Sequence, residues 1–450
     1  MSENDALLAQ LTQRGIEHLK VGVFDMDGVL RGKYMHRDKF AASLDKGFGF
    51  CDVVLGWDSA DQLYDNVAYT GWHTAYPDAK VRLLPDTLRN LPLENNAALV
   101  LGEFVGAASE ICPRGLLRRV LDRAGELGVS VQGSCEFEFF LFEETPHSVR
   151  DKHYRGLKTL TPGNFGYSML RNSVHAELYE ELLGLCRDMD MPLEGLHTET
   201  GPGVIEAALQ HDQLLRAADK GALFKTYAKV WAQRRGLMAT FMAKWSEDWP
   251  GQSGHLHLSL QDRKGGSLFY DADKADHISD LQRWFIGGQQ QLMPELLSMV
   301  ACTVNSYSRM VPGLWAPLEA TWGFENRTTA LRVIGGSPSA QRVEYRIAAA
   351  DINPYIAFAA ALGSGLWGIE NRIEPSAPVV GNAYEQQAPA QQQLPTTLAE
   401  AATRLLDSSA ARSLFGDAFV EHYAATRLWE ERASRKAVTD WQLQRYFEII

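Results

Sequence analysis

Ser134-Cys135-Glu136-Phe137-Glu138-Phe139-Phe140 alternates carboxylates with aromatic rings. That is the period of a β-strand, which puts Glu136 and Glu138 on one face and Phe137 and Phe139 on the other. The aromatic face needs a core to bury it. The acidic face needs solvent or a cation, because two adjacent carboxylates repel each other. A solvated edge strand would satisfy this stretch taken alone. Two further stretches repeat the pattern, however. His255-Leu256-His257-Leu258-Ser259 sets two imidazoles and a hydroxyl on one strand face, and Glu344-Tyr345-Arg346 sets an acid and a base. Three strands that offer metal- and phosphate-binding groups at period two predict a sheet that brings those faces together.

The chain's 450 residues suffice for two or three domains with a sizeable core. A net charge of -12 argues against nonspecific binding to nucleic acid or to an anionic membrane surface. No apolar run is long enough to predict a membrane span, and Met1-Ser2-Glu3-Asn4-Asp5 lacks the pattern of a signal peptide. The five cysteines are scattered and form no CxxC pair, which predicts reduced thiols and a cytoplasmic protein.

In chain order, a helix is predicted over 5–19, followed by a hairpin turning at Asp27-Gly28. Phe24-Asp25-Met26-Asp27-Gly28 also matches the DxDG motif of haloacid-dehalogenase-like phosphatases. The acidic pair such an enzyme needs later is missing, since Gly416-Asp417-Ala418-Phe419-Val420-Glu421 lacks the second Asp, and so is its alternating βα rhythm. The hairpin is the better reading. Within 48–70, Phe50–Asp58 is predicted as a strand running into a loop, and further strands are predicted at 80–84, 97–104 and 241–245, with a Pro-marked loop between 84 and 97. Helices are predicted over 113–127, 173–189, 212–236, 279–301 and 352–369, and through the last 55 residues. The charges on helix 212–236 read as a solvated face, residues 148–166 as a polar loop, 250–254 as a flexible loop, and the Gln/Pro/Ala-rich segment 374–395 as a mobile linker. The boundaries predicted are a small β-rich domain over 1–108 and a large domain over 109–450, together an α+β fold.

Glu199-Thr200-Gly201-Pro202-Gly203-Val204-Ile205-Glu206 adds two acids around a tight turn. Arg309, Arg327, Arg332, Arg342 and Arg346 fall within about 40 residues, among apolar and glycine-rich neighbours, and predict a polyanion site. Carboxylates with one or two imidazoles suit Mg²⁺ or Mn²⁺ better than zinc. Metals ringed by arginines are what phosphoryl transfer needs. There is no Walker loop or kinase glycine-rich signature, so metal and arginine would hold the nucleotide.

Together these stretches resemble the glutamine synthetase superfamily over nearly the whole chain. The resemblance is carried by 134–140, 199–206, 251–260, 305–312, 324–332 and 342–347, with Arg31-Gly32-Lys33 in the hairpin. It implies a β-grasp-like N-terminal domain, a catalytic domain on a curved antiparallel sheet, and homo-oligomeric rings of six, single or stacked, with sites between subunits. It implies ATP and two Mg²⁺ or Mn²⁺ ions per site. Glu138, Glu199 and Glu206 would hold the substrate-side ion, and Glu136, His255 and Glu344 the nucleotide-side ion. His257, Ser259, Arg332 and Arg342 would contact the nucleotide, Gly251, Arg309 and Arg346 glutamate, and Arg327 the transferred phosphoryl group. The implied reaction activates the γ-carboxylate of glutamate as γ-glutamyl phosphate, and an amine then displaces phosphate.

One departure bears on the amine. The ammonia-using enzymes carry a Glu in a loop where this chain reads Arg309-Met310-Val311-Pro312-Gly313-Leu314-Trp315-Ala316-Pro317. Trp315 occupies that place and offers an apolar wall and a π face instead of a base. Trp322-Gly323-Phe324-Glu325-Asn326-Arg327-Thr328 also resembles the wording of members that make γ-glutamyl-amines. These features point to an organic amine, bulky and possibly aromatic, over ammonia. A polyamine fits less well, because the pocket candidates Trp57 and Trp315 add no further acids. Asp58 is the candidate for the acid that the neighbouring subunit supplies to the amine. Tyr384 falls near a tyrosine that some members adenylylate, in different surroundings. A non-catalytic ring scaffold would have no reason to keep six ligands and five arginines.

Overall fold

The computed structural model describes residues 3–450. Two sheets organise it. The first is built from β1 (His18–Phe24), β2 (Leu30–His36), β3 (Phe48–Cys51), β4 (Asp78–Leu91) and β5 (Ala97–Phe104), in the order β2-β1-β5-β4-β3. β1 and β2 pair antiparallel across the Asp27-Gly28 turn, and β1 pairs parallel with β5. Asp25 is buried at this turn. It accepts bonds from the Asp27 and Val29 amides (3.0 and 2.8 Å) and from Arg31 Nε (2.8 Å), so its carboxylate closes the hairpin.

The second sheet carries the polar strands. It comprises β6 (Ser130–Phe142), β7 (Leu193–Thr198), β8 (Val204–Leu209), β9 (Asp212–Gln213), β10 (Met238–Thr240), β11 (Gly254–Gln261), β12 (Trp322–Phe324), β13 (Leu331–Ile334) and β14 (Arg342–Tyr345). Its main path runs β12-β13-β14-β11-β6-β8-β7, with β9 and β10 pairing on β6. Pairing is antiparallel except between β12 and β13. Phe137 and Phe139 are fully buried against Phe224 of helix Leu214–Arg234 and against Phe241, in stacked and edge-on contacts. Burying one such ring stabilises the fold by roughly 1.5–3 kcal/mol, so this face fixes the register that aims Glu136 and Glu138 outward. Helices Asp280–Leu296 and Pro354–Asn371 pack together behind, with Gly288 against Gly368 where any side chain would collide with backbone.

Several expectations need correction. The first helix ends at Gln13, and the chain is already in β1 by His18. β4 runs through Pro85 to Leu91; a register shift between Leu84 and Arg89 accommodates the residue that has no amide proton. The helix predicted over 173–189 is two helices, Met169–Val174 and Ala176–Asp188, broken at His175. Residues 241–245 are not a strand. β10 ends at Thr240, and the chain then turns Phe241 into the core beneath β6. Residues 148–166 begin inside the short helix Pro146–Asp151. The charges on helix Leu214–Arg234 are not all solvated: Lys220 is buried against Asp212 (2.7 Å), and Lys225 donates to the Ile352 carbonyl (2.5 Å). Gln252 and Ser253 are buried, so 250–254 is no loose loop. Segment 374–395 is irregular but pinned, through Trp322 Nε1 to Ser376 O (2.7 Å) and Gln393 Nε2 to Glu319 (2.6 Å).

No described helix is long and apolar enough to cross a membrane, and the five cysteines are free thiols.

Candidate active site

The polar positions at period two meet across the sheet. Glu136 on β6 stands opposite His255 on β11, and Glu138 stands opposite Glu206 on β8. Glu206 in turn faces His197 on β7. On the other side His257 faces Glu344 on β14, which faces Arg332 on β13. Antiparallel register thus sets six strands' polar residues into one band.

Two close-set groups stand in this band. In the first, His255 Nδ1 lies 3.4 Å from both Glu136 Oε1 and Glu344 Oε1, and His257 Nε2 lies 3.4 Å from Glu136 Oε2. Glu344 is buried and also receives Arg346 Nη1 (2.5 Å) and Arg332 Nη1 (3.1 Å). Burial opposes its ionisation, but His255 and Arg346 outweigh that and hold it at about 2. Burial likewise opposes charge on Glu136, and bonds from His255 and His257 hold it well below the usual carboxylate range. In the second group, His197 Nε2 lies 3.4 Å from Glu199 Oε2 and 3.6 Å from Glu206 Oε1. Burial, with the charges of Glu136 and Glu138, pushes the Glu206 carboxyl strongly upward.

Each trio, Glu136–His255–Glu344 and His197–Glu199–Glu206, brings one donor atom per residue within 4.8 Å of the others, the spread a single cation spans. His255 Nε2 is buried without a hydrogen-bonding partner. Acids crowded around Glu206, with His197 as the imidazole beside them, fit a divalent cation with mixed oxygen and imidazole ligands. Glu138 stands between the two trios; its Oε2 accepts the Ser253 amide (2.8 Å).

Beside the first trio a cavity of about 450 Å³ opens, lined by Ser134, Glu136, His211, His257, Ser259 and Arg342 among others. Arg342 Nε donates to His257 Nδ1 (3.2 Å), which fixes that imidazole's other nitrogen toward Glu136. Arg332 bridges Glu344 and Glu325. Arg327 is exposed on the turn that follows Asn326. Arg309 is almost fully buried, with its guanidinium committed to Ile347 O (2.9 Å), Ser253 Oγ (2.9 Å) and Arg346 O (3.2 Å). A Cβ on Gly251 would lie 2.5 Å from Arg309 Cγ and 2.6 Å from Ala243 O, so only glycine fits there. Trp315 is 53% exposed at φ 62° on the loop that follows Arg309.

Asp58 and Trp57 make their contacts within the N-terminal sheet region. Asp58 Oδ1 accepts the Ala60 and Gln62 amides, both at 2.8 Å, and Trp57 lies under the Arg31 guanidinium at 4.9 Å. Sequence reasoning missed two residues. His197 precedes Glu199 at the same period two as the other acid and imidazole pairs, which is a signal in the sequence. Tyr167 carries no such signal, yet its ring stacks on His197 at 4.4 Å, nearly parallel, while staying 72% exposed.

Paired acid–imidazole clusters beside an arginine-edged cavity define a site suited to moving a phosphoryl group between anions. Comparison with known proteins agrees. Residues 110–446 match the family described as glutamine synthetase, catalytic domain. A type-1 glutamine synthetase 2 of Dictyostelium discoideum is 42% identical, over 100% of this chain and 87% of its own. A glutamate–isopropylamine ligase of a Pseudomonas species is 37% identical, over 98% and 97%. A γ-glutamylethanolamide synthetase of Streptomyces coelicolor is 36% identical, over 94% and 91%. A solved complex of GmaS with ADP superposes at a TM-score of 0.86 with 25% identity, covering 98% of this chain and 99% of that one. The chain belongs to the glutamine synthetase family. It is an ATP-dependent ligase that joins a carboxylic acid to an amine nitrogen.

Proposed function

We propose that this ligase joins the γ-carboxylate of glutamate to an organic amine larger than ammonia. Trp315 carries the reading. It is a half-exposed aromatic wall on the loop after Arg309, at the place where the family resemblance implies a glutamate in ammonia-using members. Tyr167 adds a second exposed ring at His197. Neither side chain supplies a base or an anion, so the two favour an apolar or aromatic amine over a polyamine. The names of the Pseudomonas and Streptomyces relatives support the same class of second substrate.

Glutamate lies against Gly251 and Arg346, with Arg309 shaping the floor from behind. ATP occupies the cavity at Ser259, His257 and Arg342, its phosphates toward Arg332. A γ-carboxylate oxygen attacks the terminal phosphorus, the bond to ADP breaks, and Arg327 meets the transferred group. The amine nitrogen then attacks the acyl carbon; phosphate leaves and the nitrogen gives up a proton. Two divalent cations, one held by Glu136, His255 and Glu344 and one by Glu199 and Glu206 with Glu138 and His197, would supply the charge that lets carboxylate and phosphate approach. Asp58 forms its loop-closing bonds through Oδ1, and Oδ2 is the atom that would draw an ammonium group at a subunit boundary in a homo-oligomeric ring.

The test is ADP release with ATP, Mg²⁺ and glutamate against ammonia, short alkylamines, ethanolamine, benzylamine and putrescine. The reading predicts the highest kcat/KM with an uncharged-tail amine; ammonia as the sole productive nucleophile would overturn it. Ammonia-dependent glutamine synthesis is the second reading, favoured by the name of the Dictyostelium relative.

A further inference from the structure

The cavity beside the first trio has a far end that the phosphate-binding groups do not reach. β6 and β11 pair antiparallel, so the face that sets Glu136 opposite His255 continues with Ser134 opposite His257, Gln132 opposite Ser259 and Ser130 opposite Gln261. Gln132 lies four residues from Glu136, which is ~13 Å along the strand. Gln132 and Gln261 line the same cavity as His257, Ser259 and Arg342, and both are half-buried, within reach of a bound molecule. A nucleotide with its phosphates at the Glu136 end therefore extends its base toward these two amides.

The two side chains also meet. Gln132 Nε2 donates to Gln261 Oε1 (3.5 Å), along the diagonal between neighbouring strands on one face. Gln261 thus holds the Gln132 amide one way round, with Oε1 and the second N–H of Gln132 left for a ligand. An acceptor beside a donor matches the adenine edge, where an exocyclic amino group stands next to a ring nitrogen that accepts. A 6-oxopurine has a carbonyl in place of that amino group. Its oxygen would face Gln132 Oε1, acceptor against acceptor, and a turned amide would set Oε1 against the Gln261 oxygen instead. Stacking accepts any base, because every base has a π face, so a choice among bases takes contacts of this kind.

Resting on the ATP-dependent ligase reading above, we infer that Gln132 is a substrate-binding residue that selects a 6-aminopurine base, and that Gln261 is the positioning residue that orients its amide. The test is titration calorimetry of the protein in Mg²⁺ with ADP and with inosine diphosphate, which carries a 6-oxo group and no 2-amino group. Wild type is expected to bind ADP about ten- to hundredfold more tightly. Gln132→Leu should bring the two affinities together. Gln261→Leu should narrow the gap, whereas Gln261→Glu, which keeps an oxygen for Gln132 Nε2, should retain it. Wild type binding the two nucleotides alike, or Gln132→Leu keeping the wild-type ratio, overturns the inference. Equal ratios in Gln261→Leu and Gln261→Glu overturn the role of Gln261. A protein that shows the gap in binding yet releases no ADP from ATP with glutamate and any amine overturns the ligase reading and leaves the base selection standing.

Discussion

Glu138 stands directly opposite Glu206 across the β6–β8 pair, carboxylate beside carboxylate. Two strands away on the same face, Glu344 receives Arg346 and Arg332. The sheet thus runs from a region short of positive charge to one well supplied with it. In the function proposed here, a phosphate donor and a carboxylate acceptor would meet between them, and cations at the acidic end would make that possible.

Divalent cations are therefore predicted to stabilise the protein as well as to activate it. A ligand at a hundredfold excess over its dissociation constant contributes about 2.7 kcal/mol to the folded state. Mg²⁺ or Mn²⁺ should raise the melting temperature and EDTA should reverse the rise. In Glu136→Gln and Glu206→Gln the rise should shrink, since each loses a ligand of one trio. Equal shifts in wild type and both variants, measured by scanning calorimetry, would contradict the ligand assignment.

Trp315→Glu is predicted to shift the preference toward ammonia. The substitution removes an apolar wall and adds an acid able to attract and deprotonate ammonium. Pocket changes of one or two methylenes shift selectivity by about tenfold or more, and the ratio of kcat/KM values for ammonia over an alkylamine should rise at least that far. An unchanged ratio would show that Trp315 only packs its loop.

The joint between the two sheet regions is a buried charge network. Arg114 binds Asp219 through Nε and Nη2 (2.9 and 3.0 Å) and Glu103 through Nη1 (2.8 Å), and all three side chains are buried. Removing the arginine leaves buried Asp219 with the Tyr355 hydroxyl (2.6 Å) but no cation, while Glu103 keeps Arg82 and Arg118 (both 3.0 Å), at a cost of about 3–5 kcal/mol. Arg114→Met should lower the urea midpoint accordingly; a loss under about 1 kcal/mol would show that the acids find other partners.

His422 gives a pH dependence whose sign is fixed. It is buried, its Nε2 lies 2.8 Å from Leu55 O, and burial depresses its pKa from 6.5 to about 4. The folded state favours the neutral ring, so its contribution is present above pH 6.5 and is lost as pH falls through 4. Between those values the loss amounts to about 3 kcal/mol. His422→Gln keeps a donor for Leu55 without titrating, and its unfolding free energy should fall correspondingly less over the same interval. Parallel curves for the two proteins would contradict the assignment.

The strands that carry the site were legible because strand period sorts side chains by face. Glu136/Glu138, His255/His257 and Glu344/Arg346 all read correctly as shared faces, and the Asp-Gly turn read as a hairpin. What misled was local pattern overridden by packing. Phe241 looked like strand, but the core beneath β6 takes its ring, and the chain leaves the sheet to deliver it. Lys225 looked solvated, yet the Ile352 carbonyl and two aromatic rings receive it inside. Tyr167 was invisible, because its stacking on His197 depends on where a loop lays it rather than on any spacing.

The central claim, an organic amine as the preferred nucleophile, is tested most directly by competition. Enzyme, ATP, Mg²⁺ and glutamate are incubated with ammonia and a short branched alkylamine at equal concentrations of free base, and the amides are counted by mass spectrometry. A product pool dominated by the γ-glutamyl-alkylamide is the predicted result; a pool dominated by glutamine would contradict it.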